Sequence, residues 1–104
     1  MVPSYRVIVL PEPAGDIDRI TDRIKQESTQ NALEQFERLW KSSLSLAVLP
    51  HRYEIHRSNK DPNRIVRSMA VPPFIIYYRI RESDRIIEIL TIRHGRQRQP
   101  RRFK

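Results

Sequence analysis

The sequence predicts an α+β domain with the element order β-α-α-β-β-β, in which a helical hairpin packs on one face of a small, antiparallel-dominated sheet. Residues 64–71, 74–80 and 85–92 form three runs rich in β-branched and aromatic residues, separated by Pro72-Pro73 and by a short polar turn. Two segments with helical spacing of apolar residues precede these runs, and a short apolar run precedes the helices. Each predicted helix has one apolar stripe, and the sheet supplies a surface that can bury it.

The N-terminal half is predicted to contain the first strand and both helices. Residues 5–10 form the first apolar run, and Pro11 ends it. Because Pro is tolerated in the first turn of a helix, we expect a first helix to begin here, with Ile17, Ile20 and Ile24 on one face. Ser28 or Thr29 is the expected N-cap of a second helix, which Pro50 ends. Its residues at helical spacing, expected to pack on the sheet, are Ala32, Leu33, Phe36, Leu39, Trp40, Ser43, Leu44 and Ala47.

The C-terminal half is predicted to hold a loop and the other three strands. Residues 51–63 are polar and rich in turn formers, which predicts a long connecting loop. Residues 74–80 are apolar at nearly every position, a pattern typical of a central strand covered on both faces, whereas Glu88 interrupts the last strand. Tyr77 and Tyr78 must point to opposite faces, so one is expected in the core and the other at the surface.

Length and composition predict one small intracellular domain. A chain of 104 residues allows a single domain, residues 1–104, with a modest hydrophobic core. It contains no Cys, which excludes disulfides and thiolate metal sites and suits a reducing cytoplasm. Its apolar stretches are far shorter than the ~20 residues that a membrane span needs, so we expect a cytoplasmic protein without a membrane partner.

The positive charge is concentrated at the C-terminus. Of the net charge of +8, residues 93–104 contribute six basic side chains and no acidic one. We define residues 97–104 as the basic tail. Such a segment attracts phosphate backbones or an acidic protein through long-range electrostatics, and the alternative is a solvated appendage without a partner.

Several short motifs, taken together in order and spacing, resemble the RelE/ParE toxin superfamily over about residues 5–98. In the first helix the matching residues are Pro11-Glu12, Asp16-Ile17, Ile20 and Ile24, and in the second helix they are Ala32, Phe36, Trp40, Leu46 and Pro50. In the strands they are Val66-Arg67, Val71, Pro73-Phe74, Tyr78-Arg79-Ile80, Ile92 and His94-Gly95-Arg96. The sequence departs from the pattern at Pro72, where Gly is usual, and at Ile75, where Arg is usual.

The resemblance implies the toxin of a type II toxin–antitoxin system, neutralised by a cognate antitoxin protein. ParE-like members of the superfamily poison DNA gyrase, whereas RelE-like members cut mRNA in the ribosome. Neither activity implies a cofactor. A toxin dimer or a toxin–antitoxin heterotetramer is the expected assembly.

Site candidates differ between these two activities. Cleavage of RNA without a metal needs an acid, a base and cations around the phosphate, and the candidates for a nuclease are Arg67, His94 and Arg96. A RelE-like site would also need a Tyr near the C-terminus, where Phe103 is the single aromatic residue. The ParE-like reading is therefore favoured, and its target-binding candidates are Arg93, Arg96, Arg98, Arg101 and Arg102.

Other interpretations remain open from the residues alone. Arg67 could cover the sheet or pair with an acidic side chain, and His94 could be a hydrogen-bonded residue at a strand end. A third class of function is a non-toxic module whose basic tail binds nucleic acid. We expect no metal site, because no carboxylate lies at a spacing from His51 and His56 that would complete a set of metal ligands.

Overall fold

A computed structural model of the chain describes residues 4–25 and 28–95, apart from the side chain of Pro13. It contains two α-helices and five β-strands, with 3-10 turns at Pro50–Arg52 and Pro62–Arg64. The helices are α1 (Pro11–Lys25) and α2 (Thr29–Ser45). The strands are β1 (Arg6–Val9), β2 (Ile55–Arg57), β3 (Val66–Val71), β4 (Phe74–Arg81) and β5 (Ile86–His94).

The five strands form one mixed sheet in the order β1-β5-β4-β3-β2. β1 runs parallel to β5, and all other neighbouring strands are antiparallel. The predicted α+β class and the helical hairpin on a mostly antiparallel sheet are therefore confirmed. The predicted loop 51–63 differs from the structure, because its residues 55–57 form β2 at the edge of the sheet. This strand has three residues and an irregular register with β3, which explains why no repeating pattern marks it.

Local sequence signals set the beginnings of both helices. Pro11 is the first residue of α1, as predicted. Ser28 caps α2, and its side-chain oxygen accepts a hydrogen bond from the backbone N–H of Asn31. The second helix ends at Ser45, before the predicted stop at Pro50.

The main hydrophobic core lies between the helices and the sheet. Ile17 of α1, Leu39 of α2 and Leu46, the residue after α2, are fully buried in it. The strand residues of this cluster are Met69, Val71, Phe74, Ile76, Tyr78, Ile80, Ile87, Ile89 and Ile92. Part of the predicted α2 stripe lies outside this core, because Leu33, Phe36 and Leu44 are exposed by 54%, 37% and 57%. The sheet therefore buries only part of the predicted apolar face of α2.

A smaller buried cluster lies on the other face of the sheet. It consists of Val66, Tyr77 and Leu90, with Leu10 and Ile75 packed against it. Leu90 is an extra residue on β5, since β4 pairs Tyr77 with Thr91 and the next residue with Ile89. Tyr77 is as buried as Tyr78, so the prediction of one surface tyrosine was wrong. The bulge and the flanking apolar residues build a second core that the strand period alone does not reveal.

Candidate functional site

Arg67 is held in place by the backbone of the segment before β2. The residue is paired with Tyr78 of β4 in the sheet register. Its guanidinium nitrogen Nη1 donates to the carbonyl oxygen of Tyr53 at 2.7 Å and to that of His51 at 3.2 Å. The Tyr78 hydroxyl donates to the carbonyl oxygen of Pro50 at 2.5 Å. These three bonds attach residues 50–53 to the centre of the sheet.

His94 occupies a different end of the sheet. It is the last residue of β5, half-buried, and its ring makes an edge contact with Phe74 at 5.6 Å between ring centroids. The backbone N–H of the following Gly95 donates to the carbonyl oxygen of Pro73 at 2.8 Å. A Cβ at Gly95 would lie 3.3 Å from that same oxygen, so glycine fits this close approach better than larger residues.

The structure does not bring Arg67 and His94 together. Along β4, their pairing partners Tyr78 and Phe74 are four residues apart, and the two residues themselves lie on β3 and β5, on either side of β4. With ~3.4 Å per residue and ~4.8 Å per strand, the two backbones are about 17 Å apart. The structure therefore does not place the two residues side by side, and backbone carbonyls engage the Arg67 guanidinium instead. Arg96, the third nuclease candidate, lies outside the described residues.

Of the predicted target-binding arginines, only Arg93 belongs to the described part of the chain. It lies on β5 opposite Ile75, half-buried. Its Nε is buried without a hydrogen-bond partner among the described residues. Burial raises the pKa of Tyr77, and the nearby positive charge of Arg93 opposes this rise. The remaining candidates, Arg96, Arg98, Arg101 and Arg102, and the basic tail lie outside the described residues.

Tertiary structure gathers around one pocket a group of arginines that the sequence did not predict as a site. Four of the pocket's lining residues are Arg57, Arg64, Arg79 and Arg81, which come from β2, the second 3-10 turn and β4. We call this the arginine pocket. Arg79 and Arg81 are two residues apart on one strand and therefore share a face of the sheet. This spacing is visible in the sequence and indicates part of the pocket. The contribution of Arg57 and Arg64 depends on strand order and could not be seen in the sequence.

Glu88 of β5 binds two of these arginines. Its Oε1 accepts hydrogen bonds from Nε of Arg79 at 2.9 Å and from Nε of Arg81 at 2.7 Å. Burial favours the neutral carboxyl, but the hydrogen bonds and charges of the two arginines outweigh it and lower the pKa of Glu88. The same contact raises the pKa of Arg81. Glu88, which interrupts the apolar pattern of β5, therefore stays ionised and orients two guanidinium groups.

Helix α2 presents an apolar surface to solvent. Leu33, Phe36 and Leu44 are exposed and lie on one side of the helix, and the half-buried Trp40 lies between them. The rings of Phe36 and Trp40 make an edge contact at 6.1 Å between centroids. We call these four residues the α2 stripe. Apolar surface that is grouped in this way is typical of a protein-binding site.

Two kinds of site are absent from the described part of the chain. Within residues 4–25 and 28–95, no three His, Cys, Asp or Glu side chains are arranged so that they could hold a metal ion. No helix in these ranges is long and apolar enough to cross a membrane.

Solved structures from two toxin–antitoxin systems share this architecture. A chain of the chromosomal ParDE toxin–antitoxin system from P. aeruginosa has a TM-score of 0.68 and 20% identity, and the match covers 88% of this chain and 96% of that one. A chain of the toxin–antitoxin complex RelBE2 from Mycobacterium tuberculosis has a TM-score of 0.64 and 19% identity, with coverages of 90% and 93%. At these identities the similarity establishes the fold.

The sequence itself establishes the family. The model of the family described as the ParE toxin of the type II toxin–antitoxin system parDE matches residues 7–99. This match spans most of the 104 residues, and the chain belongs to the ParE toxin family. No curated protein matches the chain.

Proposed function

We propose that this ParE-type toxin inhibits DNA gyrase by binding to it, without chemistry of its own. The observation that carries this proposal is the position of Arg67, whose guanidinium is bonded to two backbone carbonyls and whose backbone lies about 17 Å from that of His94. The match to the ParE family supports the same choice of target. The half-buried Arg93 is a proposed contact point for that target, together with the predicted Arg96, Arg98, Arg101 and Arg102.

The alternative is a ribosome-dependent mRNA endonuclease of the RelE type. The similarity of the fold to a chain of the RelBE2 complex favours this second candidate. Its candidate residues are Arg67, His94 and Arg96. The two activities differ in what fails first in a cell, because a gyrase poison damages DNA and a nuclease stops protein synthesis.

Induction of the toxin without an antitoxin tests the target. We expect filamentous cells, DNA breaks and an SOS response while translation continues at first. Purified toxin is expected to inhibit supercoiling by gyrase, and Arg93→Gln to inhibit it several-fold less. Arg23→Gln on α1 removes the same charge from an exposed position and serves as the control. Translational arrest within minutes, with cleaved mRNA and intact DNA, would overturn the proposal.

We also propose that the α2 stripe is the docking surface for a cognate antitoxin. The two similar structures come from toxin–antitoxin systems, and an amphipathic antitoxin segment that folds on binding can cover such a stripe. Full burial of a leucine side chain contributes ~1.5–3 kcal/mol, so covering a half-exposed Leu44 contributes about 1 kcal/mol. A toxin dimer or a heterotetramer with the antitoxin is the proposed assembly.

Co-purification with the product of the adjacent gene tests the docking surface. Leu44→Asp is expected to weaken antitoxin binding about 10-fold or more, because it removes the apolar contact and buries a charge. Asn31→Asp adds the same charge to the same helix on another side and is expected to bind normally. Equal binding by both variants would exclude the α2 stripe, and the mass of the complex reports its stoichiometry.

A further inference from the structure

The geometry points to the arginine pocket as a binding site for the phosphodiester backbone of a nucleic acid. The pocket has a volume of about 420 Å³, within the ~300–1,000 Å³ typical of ligand sites. Its lining residues are Arg57, Asn59, Asp61, Asn63, Arg64, Val66, Arg79 and Arg81. This inference rests on these residues and holds whichever target the toxin has.

Positive charge dominates the pocket. Four guanidinium groups line it, against one carboxylate, that of Asp61, in the lining and Glu88 beneath. The Nε bond from Arg81 to Glu88 uses one of the five N–H donors of that guanidinium. Asp61 and Asp84 act on Arg81 more weakly than Glu88 does. A planar guanidinium held in this way matches the two free oxygens of a phosphodiester.

The neutral lining residues also present donors. The side-chain oxygen of Asn59 accepts the backbone N–H of Asp61 at 2.9 Å. The side-chain oxygen of Asn63 accepts the backbone N–H of Glu82 at 3.2 Å. Because both amide oxygens are engaged by the backbone, the NH2 groups are the ends that can donate to a ligand. Asparagine amides and arginines are common donors to the phosphates of nucleic acids.

An acidic polypeptide fits this pocket less well. Protein interfaces obtain most of their binding energy from apolar and aromatic anchors, and Val66, the one apolar residue of the lining, is only 3% exposed. Interfaces with nucleic acid are more polar and more positively charged. The α2 stripe has the opposite composition, so the two surfaces suit different classes of partner.

The arginine pocket is separate from Arg67 and His94, two of the residues that the sequence suggested. In the sheet register Arg79 pairs with Val66 and Glu88, five residues along β4 from the partner of His94. This spacing corresponds to about 17 Å. Arg67 pairs with Tyr78, the residue before Arg79, so its side chain lies on the other face of the sheet.

NMR titration of the isotopically labelled full chain tests the inference at the site itself, which separates it from binding by the basic tail. The probes are a 12-nucleotide DNA duplex, an RNA of the same length, inorganic phosphate and an oligoglutamate peptide. We expect DNA or RNA to shift the side-chain amide signals of Asn59 and Asn63. Arg81→Gln and Arg64→Gln are each expected to weaken duplex binding about 3- to 10-fold and to reduce the slope of log K against log salt by ~0.9.

Arg23→Gln, an equal loss of charge on α1, is expected to leave these amide shifts and the slope unchanged. Arg64 is 73% exposed, so its variant keeps the test valid if Arg81→Gln does not fold. Unshifted Asn59 and Asn63 signals, or variants that bind like the wild type, would overturn the inference. Oligoglutamate that produces the same shifts at equal affinity would instead indicate a polypeptide site, and inorganic phosphate at equal affinity would indicate a small phosphate ligand.

Discussion

Replacing Arg67 separates a structural role from a catalytic one. Arg67→Gln removes the guanidinium that donates to the carbonyl oxygens of Tyr53 and His51. We expect this variant to be less stable, yet as toxic per folded molecule as the wild type. A phosphate-binding arginine of a nuclease would produce the reverse, with stability kept and toxicity lost.

The size of the destabilisation follows from the two hydrogen bonds. The contact with His51 at 3.2 Å is exposed, so water replaces it at little cost. The contact with Tyr53 at 2.7 Å is partly buried, and a hydrogen bond to a charged group contributes ~1.5–3 kcal/mol. We therefore expect a loss of about 2 kcal/mol. For a domain of this size, ~4 °C per kcal/mol lowers the melting temperature by about 8 °C.

Thermal unfolding followed by circular dichroism measures the shift, and growth inhibition at matched levels of folded protein measures the toxicity. Arg67→Lys keeps the positive charge but lacks the planar, forked set of N–H donors of a guanidinium. It is therefore expected to recover only part of the stability that Arg67→Gln loses. Arg23→Gln controls for the loss of one positive charge. A melting temperature within a degree of the wild type, combined with loss of toxicity, would refute the structural role.

Three further predictions concern the buried tyrosine, the buried carboxylate and the tail. Burial raises the pKa of Tyr78 from 10.0 to about 12. The stability that the neutral Tyr78 contributes is therefore complete below pH 10 and is lost as the pH rises toward 12, and the loss amounts to about 3 kcal/mol. Urea unfolding from pH 9 to 12 should show this decline in the wild type and a shallower decline in Tyr78→Phe. This variant is itself expected to lose ~1–3 kcal/mol of stability at neutral pH, because it leaves the Pro50 carbonyl unpaired. Equal declines of stability with pH in the two proteins would contradict the raised pKa of Tyr78. Because the pKa of Glu88 is lowered, the stability that its ionised carboxylate contributes is present above the ordinary pKa of 4.5 and is lost as the pH falls below that value. Glu88→Gln should therefore lose less stability than the wild type when the pH is lowered through this range. Deletion of residues 97–104 should leave a folded protein that binds antitoxin but is less toxic, and full toxicity of this truncation would assign the activity to the body of the domain.

Signals that act over a few residues were sufficient to predict most of the fold. Pro11 begins α1 because its fixed φ suits the first turn, and Ser28 caps α2 because its oxygen reaches a backbone N–H three residues on. Three strands followed from β-branched residues and from the turns between them. The resemblance of short motifs to a toxin superfamily likewise needed only their order and spacing, and the family match over residues 7–99 confirms it.

Pairing between distant segments decided what these local signals could not. β2 has three residues and no apolar alternation, so it exists because β3 offers it a partner. Tyr77 is buried because a bulge on β5 brings Leu90 against it. Neither arrangement has a periodic trace in the sequence.

The candidate sites depended on tertiary structure in the same way. The sequence identified Arg67 as an arginine on a strand. Its partners are backbone carbonyls. Every residue carries such a carbonyl, so no pattern of side chains can reveal which ones Arg67 binds. The arginine pocket forms because strand order and register place residues from β2, the 3-10 turn and β4 next to one another. The sequence by itself therefore determined both helices, four of the five strands and the family. Only tertiary structure decided which charges meet, because a charge interacts with whatever lies nearby in space and not with its neighbours along the chain.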